Sequence, residues 1–161
     1  MTTIRAAQDE DNSALWAILE PIFRAGDTYA IPRDISRTDA LTFWCGGNHK
    51  AYVLEENGEI AATYYICPNQ QGGGAHVCNC GFASSPASRG KGHARKLLAH
   101  ALDTAREQGF TAMQFNFVLS SNFGALKLWA EAGFETVGTL PNAFDHPDLG
   151  LIDALVLYKF L

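Results

Sequence analysis

The stretch Ser88–Lys96, SRGKGHARK, decides how the rest of the chain is read. It follows AHVCNCGFASS, a strand by composition that Pro86 closes, and it opens a helical pattern. In that pattern Ala94, Leu97, Leu98, Ala101, Leu102 and Ala105 recur at i, i+3, i+4, i+7, i+8 and i+11, ending at Gly109. Arg89, Lys91, Arg95 and Lys96 are four of the chain's 12 Lys and Arg, so positive charge is concentrated where a helix begins. A helix start exposes backbone N–H groups and a partial positive charge, and Gly90 and Gly92 let a phosphate approach them closely. A pyrophosphate is the natural guest. The spacing is not GxxxxGK[ST], and the third glycine of the dinucleotide fingerprint is missing, so nucleoside triphosphates and nicotinamides are not indicated.

Working outward, AYVLEE and EIAATYYIC are strand-like runs joined by Asn57-Gly58, a strong hairpin signal. Thr3–Arg5 predicts a short strand. Asp9, Asp11 and Asn12 offer caps for a helix through SALWAILEPIFRA that ends near Gly26. Ser36 with Asp39 predicts a capping box for a second helix, TDALTFWC. After the long helix come a strand, TAMQFNFV, and a helix, NFGALKLWAEA, capped by Ser120 or Ser121 and stopped by Gly133. FETVGTL and IDALVLYKF read as final strands separated by a loop, PNAFDHPDLG. Strands alternate with helices after the hairpin, which argues for a mixed sheet with crossover helices.

The 161 residues, 47% apolar, are expected to form one domain, 1–161. A net charge of −5 argues against nucleic acid or an acidic membrane surface as partner. No run approaches the roughly 18 apolar residues of a membrane span, and the N-terminus has no apolar signal core, so a cytoplasmic location is expected. Cys45, Cys67, Cys78 and Cys80 show no C-x-x-C pair, so reduced, mostly buried thiols are expected, with no metal site.

Arg89-Gly-Lys-Gly92-His-Ala94 matches [QR]-x-x-G-x-[GA], the signature of the GNAT superfamily of N-acetyltransferases. Asn122 opens N-F-G-A-L-K-L-W-A-E-A-G-F, which resembles that family's second cofactor segment, N-x-x-A-x-x-L-Y-x-x-x-G-F. The resemblance covers about Ala51–Leu161. It implies an α/β (α+β) fold: a mixed, mostly antiparallel sheet of about seven strands, splayed in the middle and flanked by about four helices. It implies acetyl-CoA as cosubstrate, with the pyrophosphate on Arg89, Gly90, Lys91, Gly92, His93, Ala94 and Arg95, mainly through backbone groups. The pantetheine would run beside Phe82, Ala83 and Ser84. A homodimer follows from family habit only. YYICPN, HVCNCGF, RGKG, FNFV with Asn122, and IDALVLYK further resemble the fungal N-acetyltransferases that detoxify L-azetidine-2-carboxylate, a proline-like imino acid.

The family commonly places an acid tyrosine where this chain has Trp129, whose indole N–H does not give up a proton near neutral pH. Asn122 and Trp129 share a helical face. Asn122 can serve as a helix-start residue, or donate a hydrogen bond to a thiolate whose ordinary pKa is about 8.5. Trp129 can equally be core. Asn79 and Asn116 are poor strand formers in predicted strands. They can be paired buried amides, or ligands of the acceptor and the acetyl oxygen; the resemblance assigns Asn79, Asn116 and the Phe117 backbone to binding a small amino or imino acid. Tyr29 is read as a substrate wall or an exposed loop aromatic. Deprotonation is expected through water, polarised by His76 or backbone carbonyls, with no strong base. A route through Cys78 or Cys80 lacks a base partner. A small-molecule N-acetyltransferase is therefore expected; the alternatives are a protein or peptide N-acetyltransferase and a non-catalytic acyl-CoA-binding module.

Overall fold

The computed structural model describes residues 1–161, in the order β1 (Thr2–Ala6), α1 (Asn12–Ala25), α2 (Arg37–Cys45), β2 (Lys50–Glu56), β3 (Glu59–Pro68), β4 (Val77–Ser84), α3 (His93–Glu107), β5 (Ala112–Leu119), α4 (Phe123–Glu131), β6 (Glu135–His146) and β7 (Gly150–Phe160). They form a seven-stranded sheet of order β1-β2-β3-β4-β5-β7-β6, in which only the β4–β5 pair is parallel. The α/β fold implied by the motifs is the fold observed. No helix is long and apolar enough to cross a membrane.

Alternation along the strands sorts the core onto two faces. Ala62, Tyr64 and Ile66 of β3, with Cys78 and Cys80 of β4, pack with Leu97, Leu98 and Ala101 of α3 and Trp129 of α4. Tyr65 and Cys67 point the other way and join Leu19, Phe23 and Trp44 of α1 and α2. Gly81 has no room for a side chain: a Cβ there would lie 2.2 Å from Cε2 of Tyr65. Gly81→Ala is therefore expected to destabilise the fold by about 1–3 kcal/mol through overpacking, measured by urea denaturation.

Several local expectations are corrected. Ser120 and Ser121 do not cap α4; Asn122 does, its Oδ1 accepting from the Ala125 N–H at 3.3 Å. Asp9–Asp11 form a separate 3-10 turn before α1, and the Asp11 carboxylate accepts from the Gln8 N–H instead of capping that helix. Most of PNAFDHPDLG is not loop. β6 runs on to His146 and pairs with β7 past a bulge between Leu140 and Phe144, at which Asn142 adopts a φ of 50° and donates its N–H to Asp153. Turn-forming residues suggested an ending there, but a bulge accommodates them without stopping the strand.

Candidate active site

β4 and β5 pair only at Val77–Ala112 and Cys78–Met113, then part. Beyond that point β4 continues to Ser84 and β5 to Leu119 with no mutual register, which opens a wedge inside the sheet. A second irregularity lies on the other side of β5, whose register against β7 breaks between Phe115 and Val118 and so releases Asn116 and Phe117 from the ladder. The wedge is the mouth of a cavity of about 420 Å³.

The cavity brings together residues far apart in sequence. Asn79, Cys80, Phe82, Ala83 and Ser84 come from β4, Asn116 and Phe117 from β5, Asn122 and Trp129 from α4 and its cap, and Tyr29 from the segment between α1 and α2. No Asp, Glu, Lys, Arg or His lines it. Alternation places Asn79 on the α1/α2 face of the sheet, opposite Cys78 and Cys80, whereas α4 brings Asn122 to the other face. The two sets of amides can therefore meet only where the strands separate.

Each amide has a distinct setting. Asn122 spends its Oδ1 on the helix cap, leaving the Nδ2 hydrogens without a protein acceptor. Asn116 donates through Nδ2 to Asn69 Oδ1 at 2.6 Å and accepts at Oδ1 from Gln114 Nε2 at 2.9 Å. Asn69 thus orients Asn116, a role that sequence reading missed because Asn69 follows Pro68 in what looks like plain loop. Phe43, Tyr65 and Ile31 also wall the cavity; Phe43 and Ile31 carry no motif that would mark them, and Tyr65 lies in the YYICPN run without being singled out there. Trp129 is 7% exposed and packs 4.8 Å from the Phe115 ring and 5.1 Å from Phe82. It is core and cavity wall at once.

Burial pushes up the pKa of Tyr29, Tyr65 and Cys80, so all three stay protonated at neutral pH. A thiolate nucleophile at Cys80 is disfavoured for the same reason, and Cys78 lies outside the cavity wall. His76, offered as one of two groups that could polarise the proton-accepting water, is exposed, precedes β4 and does not line the cavity. Tyr29 is not an exposed aromatic, since its hydroxyl bonds to the backbone of Phe82.

The glycine turn lies outside the cavity walls, at the start of α3, and only Ala94 of that motif reaches them. Gly90 and Gly92 have φ of 80° and 76°, and nothing lies within 4 Å of where their Cβ atoms would be. That leaves a backbone cradle of the kind an anion needs. Arg89 and Lys91 form no ion pair, but Arg95 is held by Glu131 at 2.7 Å. The His93 side chain is buried with Nε2 3.2 Å from the Glu56 carboxylate, and its interaction with Glu56 lowers the Glu56 pKa. Only the backbone of His93 remains available at the helix start. The double variant Arg89→Glu/Lys91→Glu is expected to weaken acetyl-CoA binding about tenfold or more by repulsion at the helix start, read by calorimetry.

The fold, the wedge and this cradle define an acyl-CoA-dependent transferase class. Residues 13–134 match the model of the Acetyltransferase (GNAT) family, and the chain belongs to that family, whose cosubstrate is acetyl-CoA. Among solved structures, a GCN5-related N-acetyltransferase from Kribbella flavida is similar at 34% identity and a TM-score of 0.94, covering 99% of this chain and 98% of that one. The yncA protein of Salmonella typhimurium, solved with its cofactor acetyl-CoA, shares the fold at 22% identity and a TM-score of 0.83, covering 100% of this chain and 94% of that one. N-acetyltransferase aca1 of Schizosaccharomyces pombe is 36% identical over 84 residues, which span 52% of this chain but only 40% of aca1.

Proposed function

We propose that the chain is a single acetyltransferase domain that transfers acetyl from acetyl-CoA to the nitrogen of a small amino or imino acid, of the proline-analogue type. The observation that carries this reading is the cavity wall, which offers amides and backbone groups to an acceptor and no charged side chain. A polycation such as a polyamine or aminoglycoside would be buried there without a carboxylate, which is costly. A zwitterion carries its own countercharge, and the Asn79 and Asn116 amides can donate to its carboxylate. The sequence likeness to the azetidine-carboxylate acetyltransferases supports the same class.

In this reading the neutral acceptor nitrogen attacks the acetyl carbon directly within a ternary complex. The C–N bond forms, the C–S bond breaks, and the electron pair leaves on sulfur. Asn122 Nδ2 donates a hydrogen bond to the departing thiolate, and the proton lost by nitrogen passes to water. No group of the wall has to exchange a proton. The Asn122 cap engages the amide oxygen with the Ala125 N–H, which leaves the NH2 free to donate to a ligand in the cavity that Asn122 lines.

A second reading, a non-catalytic acyl-CoA-binding module, is favoured by one observation: Trp129 cannot act as a proton donor to sulfur. Thiol release from acetyl-CoA across proline analogues, other amino acids, polyamines, aminoglycosides and peptides separates the readings. Turnover is expected on amino or imino acids. Turnover confined to polyamines or peptides contradicts the proposed acceptor class, and saturable CoA binding with no turnover supports the binding module.

A further inference from the structure

The glycine turn between β4 and α3 is exposed from Arg89 to Gly92 but has a buried polar group at each end. On the β4 side stands Ser88, 6% exposed, whose hydroxyl lies 3.1 Å from the carbonyl oxygen of Ala61 in β3 and 2.8 Å from that of Ser85. On the other side His93, 2% exposed, is the first residue of α3. Its Nε2 lies 3.2 Å from Glu56 Oε2, close enough for an ion pair yet off the line of a straight hydrogen bond, and its Nδ1 has no partner in the protein. Glu56 is itself fixed, because its backbone ends β2 in register with Thr2 of β1 and Glu59 of β3. Both footings of the turn therefore stand on the β2–β3 hairpin.

The turn needs such footings. Gly90 and Gly92 hold positive φ with open space around them, and glycine gives up more backbone freedom than any other residue when it is ordered. Between the footings and just beyond them, the N–H groups of Gly90, Gly92, His93, Ala94 and Arg95 bond to no backbone carbonyl. The first helical bond of α3 runs from the Lys96 N–H to the Gly92 carbonyl at 3.2 Å. A loose turn would have to be ordered at the moment an anion binds, and that cost would come off the affinity. By charge alone Glu56 works against such an anion, since it sets a carboxylate close to the positive end of the helix. What it offers the turn is a fixed partner for a buried ring that has no other.

We infer that His93 is a positioning residue for acetyl-CoA: its buried ring, paired with Glu56, fixes the first turn of α3, so that the free N–H groups of the glycine turn stand ready for the pyrophosphate. The ring acts through the backbone that carries it. This role is the same whichever acceptor the enzyme takes.

His93→Leu in the full chain fills the buried space and removes the pair. In the ligand-free protein, hydrogen exchange at Lys96, Leu97 and Leu98, the first bonded amides of α3, is expected to quicken tenfold or more, while Ala101 and Leu102 keep the parent rate. The calorimetric Kd of CoA is expected to rise about fivefold or more, and that of ADP, which carries the diphosphate without the pantetheine, by a similar factor. Glu56→Ala leaves the ring in place and serves if His93→Leu does not fold. It is expected to shift exchange and both Kd values in the same direction, and the double variant to add little to either single one. Unchanged exchange or unchanged CoA affinity in a folded variant overturns the inference, as does a rise in Kd for CoA that ADP does not share. Exchange that quickens equally along the whole of α3 marks a general loss of stability and overturns it too. So does tighter CoA binding in Glu56→Ala, because His93 would then only offset the charge of Glu56.

Discussion

Replacing Asn122 by aspartate is expected to lower kcat by roughly ten- to a thousandfold, the range for loss of one hydrogen-bond donor to developing charge. Aspartate is chosen because it remains a good N-cap, so the bond from the Ala125 N–H to the side-chain oxygen can persist. What changes is the NH2, which becomes a carboxylate oxygen facing a sulfur that gains negative charge. The expected signature is a fall in kcat with an unfolding midpoint close to the parent's. Asn122→Ala loses cap and donor together and costs about 1 kcal/mol of stability besides. Parent-like kcat in a folded Asn122→Asp would remove Asn122 from the reaction.

The pH profile should show an effect of similar size with no substitution at all. Attack needs an unprotonated nitrogen, and the ammonium of a free amino or imino acid, held by its own carboxylate, titrates above the roughly 7.7–8.0 of a chain-terminal α-amine, so its neutral fraction falls about tenfold per unit across the neutral range. Between pH 8 and pH 5, kcat/KM is then expected to fall by up to about a thousandfold. The titratable groups of the wall add no break there, because burial raises Tyr29, Tyr65 and Cys80 and all three stay neutral throughout. The sign is fixed: activity rises with pH, and the break moves with the pKa of the acceptor amine. His49 lies behind the wall, stacked on Tyr65 at 4.0 Å, with its pKa lowered by burial. A break below about 6.5 that stays put when the acceptor changes would point to a histidine base instead.

Reading the sequence recovers features whose signals are local. The Asn57-Gly58 hairpin is visible because both residues take positive φ, 53° and 82°, as that turn requires. The α3 face is visible because helical periodicity needs no partner to be recognised. Asn122 announces itself by its position in a motif, although its hydrogen-bonded cap belongs to the three-dimensional structure. Strand endings are less legible. β6 runs past Pro141 and Asn142 because they sit in a bulge between Leu140 and Phe144, and β7 supplies the ladder on either side of it.

The cavity is the least legible part. Tyr29 lies 53 positions from Phe82, and Asn69 47 from Asn116, so neither bond leaves a trace in spacing or composition. His93 shows the reverse: its place in the glycine motif suggests a ligand contact, yet the packing of α3 against the β2–β3 hairpin turns its ring onto Glu56.

By itself the sequence determined the order of strands and helices, the basic glycine turn at the start of α3 and the amides available for chemistry, because each depends on short-range backbone preference or on residue type. Only the tertiary structure decided that β4 and β5 separate after Cys78, that Asn79, Asn116 and Asn122 line one cavity at that separation, and that the Tyr29 hydroxyl bonds to the backbone of Phe82. Those outcomes follow from which backbone groups find partners across the sheet, and partner choice is set by long-range packing.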